Sequence, residues 1–417
     1  MSSDWLALTL GEVCEKITDG AHKSPKSVES GKPMASVKDL TRFGVDLSSA
    51  RKISKDDFDE LVKQGCKPQI GDVLIAKDGN SALDTVCTVD TEIDAVLLSS
   101  VAILRPDLDK LDSDFLKYYF CSPQVIDYLK TNFISGAAIP RVVLRDFRKA
   151  EIKLPPLSIQ RKISKSLSSI DKKISSNSQT NKTLEQMAKT IFKSWFVDFD
   201  PVKAKMNGEQ PEGMDAETAS LFPEKLAESE EGLIPDGWEL TTVGKVSECF
   251  DKRRVPLSKR QREERQGSIP YYGATSVMDY VDEAIFDDIY LLIGEDGSVM
   301  KADGTPFVQY IWGPAWVNNH AHVLKGIKSI STEQLMLFFQ QTNINAYVTG
   351  AVQLKINQRN MNSIPFIKAP KEINERFYDV VAPLYAKIRA IKEENEQLAK
   401  LRDTLLPKLL SGEITLD

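Results

Sequence analysis

The stretch Ile163-Ser-Lys-Ser-Leu167-Ser-Ser-Ile170-Asp-Lys-Lys-Ile174-Ser-Ser-Asn177-Ser-Gln-Thr-Asn181-Lys-Thr-Leu184 decides the fold, because the numbered positions step alternately by four and three. The pattern continues through Ala188, Ile191 and Trp195, a heptad seam longer than four heptads. Sliding the chain by 214 residues lays Gly136 to Phe196 over Gly350 to Leu410 without a gap. Gly136-Ala137 falls on Gly350-Ala351, Arg145 on Arg359, Pro156 on Pro370, Ile174 on Ile388, Asn181 on Asn395 and Leu184 on Leu398. The second copy of the seam reads Phe377, Val381, Leu384, Ile388, Ile391, Asn395, Leu398, Arg402, Leu405 and Leu409. A period this long excludes a solenoid and means one domain plus one helix, used twice.

Pro155-Pro156 and Pro370 precede the two helices, where proline ends the previous segment at little cost. Ser158 is the expected N-cap of the first helix. Pro383 is expected to kink the second helix or to mark a later start. Two seams of equal length in one chain favour mutual burial, which gives an antiparallel pair and an approximate internal two-fold. The pairing positions are Ile163, Leu167, Ile170, Ile174, Asn181 and Leu184 against Phe377, Val381, Leu384, Ile388, Asn395 and Leu398. Asn181 and Asn395 either fix register as buried seam residues or face solvent at a break in the coil. A helix of about 38 residues spans roughly 57 Å.

Upstream of each helix the pattern changes. Trp5-Leu-Ala-Leu-Thr-Leu-Gly-Glu-Val13 resembles Trp238-Glu-Leu-Thr-Thr-Val-Gly-Lys-Val246, and Ile75-Ala-Lys-Asp-Gly79 resembles Ile293-Gly-Glu-Asp-Gly297. Short apolar runs (Asp72–Ala76, Ala95–Leu104, Ile289–Gly294) end in turn residues such as Asp78-Gly79-Asn80 and Asp296-Gly297, which predicts strands. Short helices are expected near Ser113–Cys121 and Thr332–Gln341. The fold class is α+β: two tandem domains with irregular, largely antiparallel sheets, alternating with two long helices. The boundaries read 1–155 first α+β domain, 156–199 first long helix, 200–235 acidic linker, 236–370 second α+β domain and 371–417 second long helix.

The net charge of −6 conceals an asymmetry. Asn207–Gly232 holds eight acidic residues and one lysine, a local charge of −7, so the remainder is slightly basic at +1. The acidic run reads as a linker or a loosely packed surface loop. Seven cations (Lys252, Arg253, Arg254, Lys259, Arg260, Arg262, Arg265) crowd into fourteen residues and are only partly offset by Asp251, Glu263 and Glu264, so a polyanion partner would relieve their repulsion. The first helix carries eight Lys/Arg against two acids between Ser158 and Phe196. Five scattered cysteines without a Cys-x-x-Cys pair point to reduced thiols in a cytoplasm. Met1-Ser-Ser-Asp-Trp5 lacks the cationic and apolar regions of a secretory signal, and no apolar run is long enough for a membrane span.

Leu154-Pro-Pro-Leu-Ser-Ile-Gln-Arg161 and Leu184-Glu-Gln-Met-Ala-Lys-Thr-Ile-Phe-Lys-Ser-Trp-Phe-Val-Asp-Phe-Asp-Pro201 resemble the central region of the specificity subunits of type I restriction–modification enzymes. Gly237-Trp238, Ile269-Pro-Tyr-Tyr-Gly273, Asn318-Asn-His-Ala-His-Val323 and Leu405-Leu-Pro-Lys-Leu-Leu-Ser-Gly-Glu-Ile414 extend the resemblance over essentially the whole chain. It implies a non-catalytic reader of a bipartite double-stranded DNA target. Each domain would take one half, and the helices would act as a ruler and as the docking surface for two modification subunits. It further implies restriction (nuclease and translocase) subunits, with S-adenosylmethionine, ATP and Mg used by the partners and no cofactor in this chain. A DNA turn of about 34–36 Å is compatible with such a ruler.

Arg grips guanine edges and Lys or Arg hold phosphates, so basic loop residues are the candidate contacts. The matched loops supply Arg141 and Arg145, and Lys355 and Arg359. Lys38, Arg42 and Lys77 in the first domain, the cations of Lys252–Arg265 in the second, and Tyr271 and Tyr272 for stacking complete the set. The sequence has no Asn-Pro-Pro-aromatic motif, no Gly-x-x-x-x-Gly-Lys-Ser/Thr loop, no Gly-x-Ser-x-Gly and no His-Glu-x-x-His. His320-Ala-His322 shows no carboxylate or cysteine at ligand spacing, so packing rather than metal is expected there. Two alternatives remain open: a Mg-dependent nuclease built on Asp107, Glu151 and Lys153, and a coiled-coil scaffold that binds only protein.

Overall fold

In the computed structural model the described residues are 5–79, 82–135, 141–350 and 353–416; Gly136-Ala137 and Ala351 of the repeat match, and Asn80 of the first turn signal, lie outside them. The chain divides into two compact units, Met1–Gln179 with Lys392–Asp417, and Thr180–Ile391. Each unit therefore holds one domain together with a half of each long helix.

In the first unit the strands Cys14–Asp19, Val101–Pro106, Val73–Ala76 and Val86–Thr88 form an antiparallel sheet in that order. In the second, Ser247–Cys249, Ala321–Gly326, Tyr290–Gly294 and Val308–Ile311 form the same sheet in the same order. A two-stranded clasp precedes each long helix: Leu6–Thr9 with Glu151–Leu154, and Glu239–Thr242 with Pro365–Lys368. A mixed sheet flanks each core, with Lys32–Ala35 parallel to Val96–Leu97 in one and Gln266–Tyr272 parallel to Pro314–Val317 in the other. The helices Ser113–Phe120 and Thr332–Phe339 cover equivalent sheet faces and bury Phe115 and Tyr118, or Leu335 and Phe339. The apolar run Ala95–Leu104 is not one strand: Val96–Leu97 and Val101–Pro106 belong to different sheets, and the turn between them lets one apolar run serve two core faces.

The long helices span Leu157–Phe196 and Lys371–Leu410, forty residues each. Ser158 is not the N-cap. The Pro156 carbonyl accepts from the N–H groups of Ile159 (2.8 Å) and Gln160 (3.1 Å), which puts Ser158 inside the first turn. At the matching position the Pro370 carbonyl accepts from Asn374 N–H (3.2 Å). Gln160 and Asn374, equivalent under the 214-residue shift, are both buried there. Each donates to the carbonyl five residues earlier, Pro155 (2.9 Å) or Ala369 (2.7 Å), and each accepts a bond from the adjoining domain. Pro383 neither ends nor delays the second helix. It lies on the exposed face, where water can satisfy the carbonyl its missing N–H leaves free.

Within the first unit Asp171 meets Arg402 and Asn177 meets Asn395. Within the second, Asn181 meets Ile388 and Phe192 meets Phe377. Numbers rise on one helix as they fall on the other, so both segments pair antiparallel. Ile163, Leu167, Ile174, Phe377, Val381 and Ile388 are buried, at about 1.5–3 kcal/mol per large side chain. Ile170, Leu184, Leu384, Asn395 and Leu398 are half-buried at the margins. Asn181 is buried rather than solvent-facing, and its Oδ1 has no partner among the described residues. Asn177 makes the stronger register contacts, donating to Asn395 Oδ1 and Glu394 Oε2, each at 2.8 Å.

The acidic segment is not a loose loop. It contains the helices Asp200–Met206 and Ala216–Ser220 and the hairpin Leu226–Ser229/Gly232–Pro235. Phe199, Val202, Phe222 and Ile234 join the second unit's core, and this apolar minority offsets the composition.

Candidate nucleic-acid interface

Both domains end a central strand in an Asp-Gly turn. Gly79 (φ 84°) and Gly297 (φ 71°) take left-handed backbone that favours glycine. In each turn the aspartate forms an isolated β-bridge with the matched loop, Asp78 with Arg141 and Asp296 with Lys355. Val142 N–H donates to the Lys77 carbonyl (3.0 Å), and Ile356 N–H donates to the Glu295 carbonyl (2.9 Å). The same backbone lattice is thus built twice. Arg141 Nε also lies 3.1 Å from Asp78 Oδ1 with its side chain 61% exposed. Lys355 Nζ lies 3.3 Å from Glu295 Oε1 with its side chain 50% exposed. Arg145, beside Asp146, and Arg359, on the short helix Gln358–Asn362, are exposed nearby in sequence. The acids hold the cations at the turn while leaving their tips accessible, which is the geometry a phosphate or base edge requires.

Beneath each loop lies a buried ion pair. In the first domain Lys77, 5% exposed, donates to Asp19 Oδ2 at 2.5 Å. Strand register makes Asp251 the counterpart of Asp19, and there the partners are His322 and Arg254. Arg254 Nη1 reaches Glu295 Oε2 (2.7 Å) and the Ala321 carbonyl (2.6 Å). Burial works to raise the Asp251 carboxyl, but His322, the Val323 N–H and Arg254 outweigh it and hold it below the usual range. Lys77 and Arg254 are therefore internal braces, not surface contacts: each extends inward to largely buried carboxylates, Asp19 for Lys77 and Asp251 with Glu295 for Arg254.

Tyr271 is likewise in the core, its hydroxyl accepting from Leu257 N–H (2.9 Å). Tyr272 is half-buried. Arg42 lies along the buried Asp171 carboxylate (3.4 Å). Arg262 is held by Asp279 (2.9 Å) and lies over the Tyr271 ring. Arg265 pairs with Asp282 and Glu283 over Trp316, and Arg253 donates to the Ile285 carbonyl over Phe286. The repulsion expected within Lys252–Arg265 is thus cancelled by Asp279, Asp282, Glu283 and Glu295, which the sequence places outside the run. Lys252, Arg253, Lys259 and Arg260 remain exposed, the last two facing Glu263 and Glu264, and Lys38 is exposed on the turn Val37–Asp39.

The residue that sequence reading missed is Asp171. It is 3% exposed at the side chain and meets Arg402 (2.8 Å), Tyr118 Oη (2.8 Å), Lys117 (3.5 Å) and Arg42. Burial pushes its carboxyl up, but Arg42, Arg402, Lys117 and Tyr118 together hold it below its ordinary value. Its signal was present: one of only two acids in a helix stretch with eight cations. With Asp171 turned inward, the exposed surface of that helix keeps all eight cations and Glu185.

Asp107 spends its carboxylate on Lys110 (2.8 Å) and the Asp109 N–H (3.1 Å), whereas Glu151 and Lys153 sit on the clasp strand. His320 bonds Asp296 (2.5 Å). Cys249, Asp251 and His322 place ligand-type atoms within 4.8 Å of one another, a grouping brought together by the strand pairing. The Arg254 guanidinium already supplies the cation there, and burial pushes the Cys249 thiol up to about 12. Among the described residues no helix is long and apolar enough to cross a membrane.

The chain matches the family described as "Type I restriction modification DNA specificity domain" over residues 2–186 and 235–400. It is similar to the type I restriction enzyme HindI specificity subunit of Haemophilus influenzae, 25% identical over 382 residues, covering 78% of this chain and 83% of that one. It is also similar to the MjaIX specificity subunit of Methanocaldococcus jannaschii, 25% identical over 327 residues, covering 74% and 71%. The crystal structure of the type I restriction–modification S subunit from M. genitalium superposes with a TM-score of 0.55 at 17% identity, covering 99% of this chain and 96% of that chain, which supports the fold.

Proposed function

The chain belongs to the type I restriction–modification DNA specificity family, and from that premise we propose that its two domains each read one half of a split double-stranded DNA target. The observation that carries this reading is the braced loop built twice, Asp78 with Arg141 and Asp296 with Lys355, in domains whose surroundings differ. Arg141, Arg145, Lys355 and Arg359, with Lys38, Lys252, Lys259 and Arg260, are the residues offered to DNA. The boundaries 1–155 and 236–370 delimit the two readers.

The paired helices carry two modification subunits and set the spacing of the half-sites, and the cationic face of the first helix suits phosphates or acidic partner surfaces. The chain supplies recognition rather than catalysis. Its partners methylate adenine with S-adenosylmethionine and cleave with ATP and Mg, in the cytoplasm.

The test is sequence-resolved adenine methylation in cells that express the cognate modification subunit with and without this chain. A split motif with a fixed unread gap, present only with the chain, is the expected result. No new methylation, where that modification subunit works with another specificity subunit, overturns the reading. Replacing Arg141 and Lys355 together by alanine lowers the slope of log K against log salt by about two.

A further inference from the structure

The strand Cys14–Asp19 ends beside the Arg141 loop, and Lys77 joins the two. The Lys77 ammonium holds Asp19 Oδ2 at 2.5 Å, while its carbonyl accepts from the N–H of Val142, next to Arg141 (3.0 Å). The segment that leaves the strand at this point is firmly seated. Gly20 passes so close to Leu97 that a Cβ there would collide with the Leu97 carbonyl oxygen. Ala21 donates to that carbonyl (2.7 Å) and accepts from Ser99 N–H (3.0 Å). Arg51, on the strand Arg51–Ile53, clamps the next turn: Nη1 donates to the Pro25 carbonyl and Nη2 to Ser24 Oγ, each at 2.8 Å. Pro25 is buried.

Beyond Ala21 these ties consume acceptors of the segment and leave its donors unused. From His22 to Ser27 no backbone N–H has a partner among the described residues. Lys23 and Lys26 are exposed, and neither enters an ion pair among the described residues. Glu29 is the one acid between Gly20 and Gly31, and Asp19 is already engaged by Lys77 and faces His22 Nε2 at 3.2 Å. A seated run of N–H and ammonium donors, with its acceptors tied to the protein, suits a ligand made of acceptor oxygens, which is a phosphodiester. The second domain repeats the placing. Asp251, the register counterpart of Asp19, is followed directly by Lys252 and Arg253, both exposed.

We propose that the segment His22–Ser27, through Lys23 and Lys26, is a phosphate-binding lip beside the Arg141 loop that positions the first domain on its half-site without reading bases. The inference rests on the DNA-reading function. Contacts to phosphate set orientation and register on the duplex and carry no sequence information, so the lip contributes to cognate and unrelated DNA alike.

The experiment uses the chain assembled with its modification subunits and measures binding to the cognate duplex and to an unrelated duplex across a salt series. Lys23→Gln with Lys26→Gln lowers the slope of log K against log salt by about two and weakens binding to both duplexes by the same factor. Lys23→Arg with Lys26→Arg, which keeps both charges, keeps the slope. Ethylation interference on the cognate duplex locates the contact: phosphates of one half-site whose ethylation blocks the wild type no longer matter to the glutamine variant, and the other half is unchanged. A glutamine variant that keeps the wild-type slope and interference pattern overturns the proposal. So does one that loses affinity for the cognate duplex alone, or one whose interference pattern changes in both halves. If Arg141→Ala with Lys355→Ala lowers the slope and the glutamine variant does not, this inference alone fails. If the wild type binds the unrelated duplex as well as the cognate one, the DNA-reading function fails first and this inference with it.

Discussion

The same helix seam is filled with opposite chemistry in the two units. In the first, Ile163, Leu406 and Leu409 are buried beside the ionic group of Asp171, Arg402, Lys117 and Tyr118. The 214-residue shift places Phe377, Phe192 and Trp195 at those three aliphatic positions, and in the second unit they join Phe196, Phe222 and Trp238 in an aromatic cluster. Asp171 itself becomes Tyr385, which packs on Tyr310 at 5.3 Å between ring centroids. The repeat therefore preserves the path of the backbone and the placing of the loops, while the contacts that hold each helix segment have diverged. An ionic cluster specifies geometry through direction, whereas an aromatic cluster stabilises through area and tolerates exchange.

The largest effect that would break this contrast is Asp171→Ala, which removes the acid that Lys117 meets and leaves the buried Arg402 only the exposed Asp403. It should cost about 3–5 kcal/mol, read by denaturant unfolding of the first unit. Adding Arg402→Met should recover much of that loss, and failure to do so would show that direction is not what the cluster supplies. The pH dependence has a definite sign. Asp171 is held below its ordinary value, so its stabilisation is complete above about pH 4 and is lost as pH falls through the lower folded value. Hydrogen exchange should show amides of 157–179 and 392–410 losing protection on acidification before those of 180–196 and 371–391. A smaller effect comes from Phe377→Ile, which copies Ile163 into the second unit; about 1.5 kcal/mol is expected from lost ring contacts, measured by thermal unfolding. The smallest is Asn181→Leu. Removing its orphaned Oδ1 should raise stability by up to about 1 kcal/mol, and a loss instead would show that Asn181 is hydrogen-bonded in solution.

Much of the architecture could be read in advance because helix seams and duplication are local or translational patterns. The short helices at Ser113 and Thr332 and the strand Tyr290–Gly294 fall within a few residues of their expected places. The later start offered for Pro383 and the cap offered for Ser158 failed because proline and capping signals act within one turn, while helix length here is set by packing along the seam. The interface was legible only as a pool of cations. Arg141, Arg145, Lys355 and Arg359 emerged from the repeat, but nothing local distinguishes exposed Lys38 from buried Lys77. The acidic segment was misread because a few buried aromatics outweigh many solvated carboxylates.

The sequence by itself determined the duplication, the two long helices and the α+β class, since periodicity and self-similarity survive without knowledge of contacts. The tertiary structure alone decided which charges face inward. Asp19, Asp171, Asp251 and Glu295 find their partners across strand and helix pairings of 41 to 231 residues in sequence. Whether a lysine or arginine braces a loop or remains free for a ligand depends on those long-range partners, because a buried charge is stable only when its opposite is brought to it.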